Sequence, residues 1–433
     1  MRTHGKRSRT ALCGVGIGVT ALLLAGCGGQ SDGGGSSSSA PPEGGDTPAE
    51  GLPFGATKED YQKAFEDIEP IKLRTQVSQA QGGFANVSTE AFVAALDEWS
   101  GGKIQVEIGY ANAFVPDATQ WDDALADGRL DIGYFITSYE PDIFPLANSV
   151  SDATQLDPTS PTSTLIGASW ASEILLGDEQ FIDEVKDEGI QYLLPGVPAV
   201  NFTALLCANP ADGDPGFDGR VASVSGTGKT AAAEALGMAP VAMPFTEQYE
   251  ALERGAINCA VTSIVAADAG GLVPLVPNIY VSDQTSISFP LYSLGVNVDR
   301  WESLPLVAQQ LIFDKLDEIM KNETIANYAR IQPSFDLAST SGGGVFQLGP
   351  AAVTAVDEAN EKLYAGIESA GFDFQSYRDA SAKWTGIVDD DLGLGTDQDF
   401  GEWVRAGEFE AWDLQGWSDR MFDEVLLAHR PGS

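Results

Sequence analysis

The chain has 433 residues, of which 63 are acidic and 24 are basic, so its formal net charge is −39. A surface this acidic repels nucleic acid and anionic lipid, which excludes a nucleic-acid-binding function. The two histidines, His4 and His429, provide almost no material for a Ser-His-Asp triad, a Cys-His pair or a histidine metal site. We therefore expect no cofactor and no metal, although the many acids leave carboxylate-pair chemistry open.

The N-terminus has the pattern of an export signal. Four basic residues precede an apolar stretch, residues 11–25, which is too short to span a membrane. The sequence L-A-G-C at residues 24–27 then resembles the bacterial lipobox, in which cleavage precedes a cysteine that becomes acylated. We predict that residues 1–26 are a lipoprotein signal peptide and that Cys27 carries the lipid. An ordinary secretory signal with an incidental cysteine is the alternative.

The segment after the signal is predicted to be a tether. Residues 28–51 are rich in Gly, Ser and Pro and cannot bury a core, so we assign residues 27–69 to the lipidated cysteine and a disordered linker. Loss of the signal with its four bases leaves 20 bases against 63 acids, a net charge of −43. The expected product is exported and lipid-anchored to the outer face of the plasma membrane, on its periplasmic or cell-surface side.

A short motif occurs twice in the remaining chain. Residues 124–131 read A-L-x-x-G-x-L-D, and residues 251–258 read A-L-x-x-G-x-I-N. In each copy the motif closes a helix, and Gly128 and Gly255 fit the left-handed position just after a helix end. The candidate N-caps of the two helices are Asp117 and Thr246.

Each copy extends upstream into the same order of elements, strand–helix–strand–helix–strand. The first copy opens with a strand at residues 71–77 and the second with a strand at residues 220–224. Such units build parallel sheets flanked by helices, with ligands beyond the carboxyl ends of the strands. The sequence therefore predicts an α/β fold with two lobes, each a mainly parallel sheet flanked by helices, that close as a clamshell around a solute.

Several segments resemble the solute-binding receptors of tripartite ATP-independent periplasmic (TRAP) transporters of the DctP type. They read W-S-G-G-K-I-Q-V at 99–106, G-R-L-D-I-G at 128–133, F-D-G-R-V at 217–221 and P-V-A-M-P-F-T-E-Q-Y-E-A-L-E-R-G at 240–255. The resemblance implies a periplasmic-binding-protein-like clamshell that is monomeric and is not an enzyme. Such a receptor captures a small organic solute, a carboxylate or a related compound, and delivers it to integral-membrane TRAP permease subunits. The alternatives are the receptor of an ABC importer and, less favoured, a secreted hydrolase with paired carboxylates.

One departure from the family bears on the ligand. The arginine that grips the ligand carboxylate in the family corresponds to Ser223 here, and Lys229 is the nearest later base. Another base, Lys229 or Arg220, could bind the carboxylate, the amides of residues 225–228 could do so, or the ligand could lack a carboxylate at that end. The net charge of −43 slightly favours a ligand without a carboxylate there, because the field of the protein opposes the entry of an anion. We therefore expect C4-dicarboxylates to bind weakly and a less charged or aromatic solute to bind better.

The predicted ligand-binding residues follow the strands of both lobes. Those of the first lobe are Gln79, Phe84, Asn112, Phe114 and Phe135, and those of the second are Asn201, Ser223, Lys229, Phe245, Glu247 and Ser263. Aromatic rings would cover apolar faces of the solute, while hydroxyl and amide groups would orient it. Packing in the core is the alternative for each aromatic residue.

The domain boundaries complete the prediction. Lobe I takes residues 70–197, lobe II residues 198–285, and crossover strands with hinge-spanning helices residues 286–371. Residues 372–433 exceed the usual family length but contain four tryptophans, so we expect an extension packed on the body. Cys207 and Cys259 lie in apolar strand-like runs, where either a disulfide or two separate buried thiols would fit.

Overall fold

The computed structural model of the chain describes residues 51–156, 158–198, 202–396, 398 and 400–433. The predicted signal peptide, the predicted lipidation site Cys27 and the first part of the predicted tether lie outside the described residues. Within the described ranges, no helix combines the length and the apolar character needed to cross a membrane.

The six strands of the two repeat units lie where the sequence predicts them, with small shifts at their ends, and five further strands join them in the described chain. In chain order they are β1 Ile71–Gln76, β2 Ile104–Gly109, β3 Ile132–Phe135, β4 Ile190–Leu194, β5 Thr203–Cys207, β6 Val221–Val224, β7 Ala239–Ala242, β8 Cys259–Ser263, β9 Asn278–Val281, β10 Ser293–Asn297 and β11 Gly344–Gln347.

Helices connect and cover these strands. They are α1 Lys58–Ala64, α2 Val87–Trp99, α3 Trp121–Ala126, α4 Pro145–Ser151, α5 Ser163–Gly177, α6 Glu179–Asp187, α7 Thr227–Ala235, α8 Phe245–Glu253, α9 Ile264–Ala269, α10 Val298–Ser303, α11 Leu306–Asp314, α12 Leu316–Thr340, α13 Pro350–Ser369, α14 Phe374–Thr385, α15 Phe400–Ala406 and α16 Leu414–Met421.

The two predicted repeat units are present in the structure. The first is β1-α2-β2-α3-β3 and the second is β6-α7-β7-α8-β8. Gly128 and Gly255 follow α3 and α8 with φ of 75° and 68°, the left-handed conformation that glycine adopts without strain. The Asp117 carboxylate accepts from the Thr119 N–H (3.0 Å) in the short turn before α3. The N-cap predicted at Thr246 is wrong, because α8 already begins at Phe245 after Pro244.

Five of the six strands of lobe II run parallel as predicted, but each lobe also contains one strand that is antiparallel to its neighbours. In lobe I, β1 pairs parallel with β2, but β10 lies antiparallel between β3 and β4. In lobe II the strand order is β11-β9-β5-β8-β6-β7, with β5 antiparallel to both of its neighbours. Strands β5 and β10 are the segments that cross between the lobes. Each enters its sheet from the lobe opposite and therefore runs antiparallel to the neighbouring repeat strand.

The predicted tether is too long at its C-terminal end. Helix α1 lies within residues 27–69 and begins with a capping box formed by Thr57 and Asp60. Tyr61 and Phe65 of this segment are fully buried in the core of lobe I. The Tyr61 hydroxyl donates to Asp314 (2.6 Å), which also binds Arg430 near the C-terminus. The aromatic residues after residue 51 give this part of the chain a surface to bury, unlike the Gly/Ser-rich residues before it.

The C-terminal extension packs on both lobes. Trp384 donates to Glu173 (2.6 Å) and Trp417 to Ser169 (3.0 Å), and both acceptors lie on α5 of lobe I. The Phe400 ring lies 4.4 Å from that of Phe202, next to β5 of lobe II. These residues are almost completely buried, so residues 372–433 form part of the folded body.

The two strand cysteines are joined. Cys207 and Cys259 face each other across the antiparallel β5–β8 pair, with their α-carbons 4.1 Å apart, and form a disulfide over 52 positions of sequence. The bond connects the incoming crossover strand to the last strand of the second repeat unit.

We expect the double variant Cys207→Ala/Cys259→Ala to lose about 2–4 kcal/mol of unfolding free energy, since a disulfide closing a loop of this length restricts the unfolded chain. Urea unfolding of the variant and of the wild-type protein, with and without reductant, measures the difference. Reductant should destabilise the wild type and leave the variant unchanged. Equal midpoints for oxidised and reduced wild-type protein would show that the bond does not contribute.

Candidate ligand-binding site

A cavity of about 120 Å³ lies where the two lobes meet. Its walls come from segments that follow the parallel strands of both repeat units and from helix α12. Residues that line it include Ser78 and Tyr139 of lobe I, Ser225, Lys229, Phe245, Gln248 and Ser263 of lobe II, and Tyr292, Glu323 and Asn327 of the later segments. The site thus occupies the position at the carboxyl ends of strands that this fold class uses for ligands.

Lys229 is the one cation among the described residues that line the cavity. It lies in the first turns of α7 and is 4% exposed. Its ammonium group is 3.4 Å from the Ser225 hydroxyl, and no carboxylate of the described chain lies within ion-pair distance. Burial lowers the pKa of Lys229 to about 8. A buried ammonium without a counter-ion is costly, so an anion that enters the cavity would gain a strong partner.

Glu323 is the one anionic side chain in the described lining of the cavity. One carboxylate oxygen accepts from the Ser88 hydroxyl and the other from the Asn327 side chain at 3.1 Å. No Lys or Arg of the described chain pairs with it, and burial raises its pKa above the usual range. Lys229 and Glu323 therefore face the same cavity without forming an ion pair with each other.

Aromatic residues close the cavity and connect the lobes. The Tyr139 hydroxyl of lobe I accepts weakly from the Phe245 N–H of lobe II at 3.5 Å. The Phe245 ring meets Trp121 of lobe I edge-on, with centroids 6.1 Å apart. Tyr292 stacks on Tyr134 at 4.5 Å. Rings from both lobes thus form apolar walls around the two buried charges.

The N-terminus of α7 is already occupied by a carboxylate. Asp152, just after α4 of lobe I, accepts hydrogen bonds from the Thr227 side chain and the Gly228 N–H of lobe II. Burial raises the pKa of Asp152 to about 6. This contact leaves the lysine side chain, and not the Gly228 amide, as the group of this helix available to an anion.

Three of the predicted ligand-binding residues line the cavity: Lys229, Phe245 and Ser263. Asn112 lines a smaller pocket that shares Ser78 and Tyr292 with the main cavity. Asn201 lies outside the described residues.

The remaining predicted residues lie outside the cavity lining. Phe135 is completely buried against Phe144 and Tyr192, so its packing in the core of lobe I overturns its assignment to the cleft. Ser223 is completely buried within β6, and its hydroxyl does not reach the cavity. Gln79 accepts from the N–H of Ala85, Phe84 lies under the Arg330 guanidinium, and Phe114 covers Gly109.

Glu247 and Arg220, two further candidates from the sequence, also lie away from the cavity. Glu247 is exposed, whereas Gln248 is buried and lines the cavity, because Phe245 and Gln248 are three positions apart on one face of α8. Arg220, the other candidate base, donates to the carbonyl oxygens of Asn209 and Pro210 at the edge of lobe II.

Sequence reasoning missed Tyr139, Tyr292, Glu323 and Asn327. The last two are one helical turn apart on α12, between Ile319 and Ile331 on the same face, and a polar pair that interrupts an apolar stripe is a signal that could have identified them. Tyr139 ends a single 3-10 turn and Tyr292 lies just before β10, and no sequence pattern marks either residue.

The structure also contains a pair of carboxyl groups, as a hydrolase would require. Asp122 and Glu140 share a hydrogen bond, and the pKa of Glu140 is raised to about 7, first by burial and then by Asp122. Neither residue lines the cavity. The pair is therefore not arranged around the enclosed space where a substrate would bind.

Comparison with known proteins agrees with this geometry. Residues 225–370, which include Lys229 and Glu323, match the family described as bacterial extracellular solute-binding protein, family 7 (DctP). No curated protein matches the chain significantly.

Solved structures with low sequence identity share the fold. A marine metagenome TRAP solute-binding protein specific for pyroglutamate, from an unidentified microbe, has a TM-score of 0.62 at 17% identity over 73% of this chain and 100% of its own. A marine metagenome TRAP protein specific for aromatic acid ligands, with 3-hydroxybenzoate, has a TM-score of 0.61 at 18% identity, covering 73% and 99%. One from Roseobacter denitrificans with bound β-D-glucuronate has a TM-score of 0.58 at 17% identity, covering 72% and 98%.

The three structures establish the two-lobed fold, and the family match covers most of the residues that line the cavity, including Lys229 and Glu323. The matched family and the three structural neighbours are all solute-binding proteins. Residues 225–370 thus match the bacterial extracellular solute-binding proteins of family 7 (DctP), and the chain shares the two-lobed fold of TRAP solute-binding proteins.

Proposed function

We propose that this protein captures a small monocarboxylate between its lobes and delivers it to the permease subunits of a TRAP-type transporter. The observation that carries the proposal is Lys229, a buried ammonium in the cavity with no carboxylate partner in the described chain. A ligand carboxylate would supply the missing charge. Lys229 would thus replace the arginine that the family has at the position of Ser223.

The choice of a single carboxylate follows from the charges around the cavity. One end offers the Lys229 ammonium, but Glu323 would repel a second carboxylate brought into the same small space. The apolar walls formed by Phe245, Tyr139 and Tyr292 suit a compact or ring-shaped body. Pyroglutamate, 3-hydroxybenzoate and glucuronate, named for the three structural neighbours, are all monocarboxylates, which supports this class.

The export and anchoring of the protein belong to the same proposal. The basic and apolar N-terminus with its L-A-G-C sequence supports cleavage before Cys27 and acylation of that residue. A monomeric receptor on a Gly/Ser-rich tether would then remain close to its permease at the outer face of the membrane. Mass spectrometry of the membrane-extracted protein tests the lipid, and a Cys27→Ser variant should be released from the membrane.

A ligand screen tests the proposal directly. We expect a monocarboxylate at about 100 times its dissociation constant to stabilise the protein by about 2.7 kcal/mol, while succinate and malate give little or no shift. Calorimetry should then show one site and no turnover of the ligand. A clear thermal shift with succinate or malate, matched by no monocarboxylate, would overturn the proposed ligand class.

A further inference from the structure

Glu323 also faces the cavity, and binding of a ligand carboxylate by Lys229 does not account for it. Glu323 is 9% exposed and lines the same cavity. Its carboxylate forms no ion pair with any Lys or Arg of the described chain. The two hydrogen bonds from Ser88 and Asn327 use one acceptor position on each oxygen. A carboxylate offers about four such positions, so half of its accepting capacity remains for another donor.

The positions of the two charges define what a ligand must present. An ammonium and a carboxylate face one small cavity and do not neutralise each other. A ligand with only a carboxylate would satisfy Lys229 and bury Glu323 further from water without a new partner, which is unfavourable for a charged group. A ligand that also carries an N–H or ammonium group would satisfy both ends.

We propose that the ligand is a small acid that also carries an N–H or ammonium group, whose carboxylate binds Lys229 and whose nitrogen donates a hydrogen to Glu323. This inference rests on the proposed function, because it extends the same site. The chemical class comprises amino acids, cyclic imino acids and lactam acids. Asn327, which also lines the cavity and donates to Glu323, holds the carboxylate in place on α12.

Matched acid pairs that differ only at the nitrogen test the proposal. Pyroglutamate is compared with 5-oxotetrahydrofuran-2-carboxylate, L-proline with tetrahydrofuran-2-carboxylate, L-alanine with propanoate, and indole-2-carboxylate with benzofuran-2-carboxylate. We expect at least one N–H member to bind about tenfold or more tightly than its partner, since a hydrogen bond to a buried charged group is strong. A panel in which no N–H member exceeds its partner would overturn the inference.

The variant Glu323→Gln shows whether this residue makes the distinction. It keeps the shape, and its amide can accept from Asn327 and donate to the Ser88 oxygen, but it carries no charge and accepts more weakly from the ligand, so the preference for the N–H member should fall at least fivefold. Affinity for the partner that lacks the N–H should hold or rise, because the variant removes the charge that this ligand leaves unpaired, whereas a merely structural disruption would lower it.

Glu318→Gln is the matched control. Glu318 lies on the same helix, accepts from Asn322 as Glu323 accepts from Asn327, and is not part of the cavity lining. It should leave the preference unchanged.

If Glu323→Gln also retains the full preference, the inference is wrong. If carboxylates bind equally with and without N–H, and binding still requires Lys229, only the inference fails. If no carboxylate binds at all, the proposed function fails with it.

Discussion

Replacing Lys229 by methionine is expected to reduce carboxylate affinity by about 30-fold to several-thousand-fold, equivalent to about 2–5 kcal/mol. Methionine keeps most of the apolar stem but removes the ammonium, so the ligand carboxylate would be buried without a partner. The same change should raise the stability of the unliganded protein, because it removes a buried charge that lacks an ion pair. Calorimetric titration and urea unfolding measure the two effects.

The pH dependence provides a second measurement of the same residue. The folded-state pKa of Lys229 is lowered to about 8, below its ordinary value of 10.5, so the unfolded chain binds more protons between these values. Stability of the unliganded protein should therefore rise with pH in this window. Carboxylate affinity should fall above about pH 8 as the ammonium loses its proton. Both trends should be absent in Lys229→Met.

Lys362→Met is the control, since this lysine is exposed on α13, away from the cavity. It should change neither ligand affinity nor the pH trends. Wild-type affinity in Lys229→Met would contradict the assignment of the carboxylate to this residue and with it the proposed function.

Replacing Trp403 by alanine is expected to lower the free energy of unfolding by about 3–5 kcal/mol. Trp403 is 1% exposed and lies where the C-terminal extension meets helix α12. Its ring centroid is 5.3 Å from that of Tyr328 and 4.9 Å from that of Trp412. Loss of the indole would leave a cavity among rigid aromatic rings, which cannot close around it.

Denaturant unfolding measures this effect, and Tyr249→Ala is the control, because Tyr249 is 42% exposed on α8 and should change stability by less than about 0.5 kcal/mol. Ligand affinity at low temperature should change little in Trp403→Ala, since Trp403 does not line the cavity. A loss below about 1 kcal/mol would mean that the extension does not depend on this contact.

The local pattern of the sequence was sufficient to predict the two repeat units. Their helices end at Gly128 and Gly255 because glycine adopts the left-handed conformation freely, and this preference acts within a few residues of chain. The family segments likewise indicated a two-lobed receptor. Of the cleft residues, Lys229, Phe245 and Ser263 could be predicted because they lie at the end of a repeat-unit strand or in the segment that follows one.

Other features depended on contacts between distant parts of the chain. The antiparallel entry of β10 beside β3 joins segments more than 150 residues apart, and no local pattern records its direction. The pairing of Cys207 with Cys259 required the register of β5 on β8, which two isolated apolar runs left open. Phe135 was wrongly assigned to the cleft, because a strand-end aromatic residue looks the same in sequence whether it faces a ligand or the core.

The sequence by itself thus determined the order of elements, the two lobes and the cation in the cavity, since these follow from periodicity, glycine conformation and chain-local motifs. Only the tertiary structure brought Glu323 to the same cavity. That residue lies 94 positions after Lys229 and reaches the site because α12 packs on α2, where Ser88 meets its carboxylate. The charge balance that the ligand must match is therefore a property of packing between helices, which no single segment encodes.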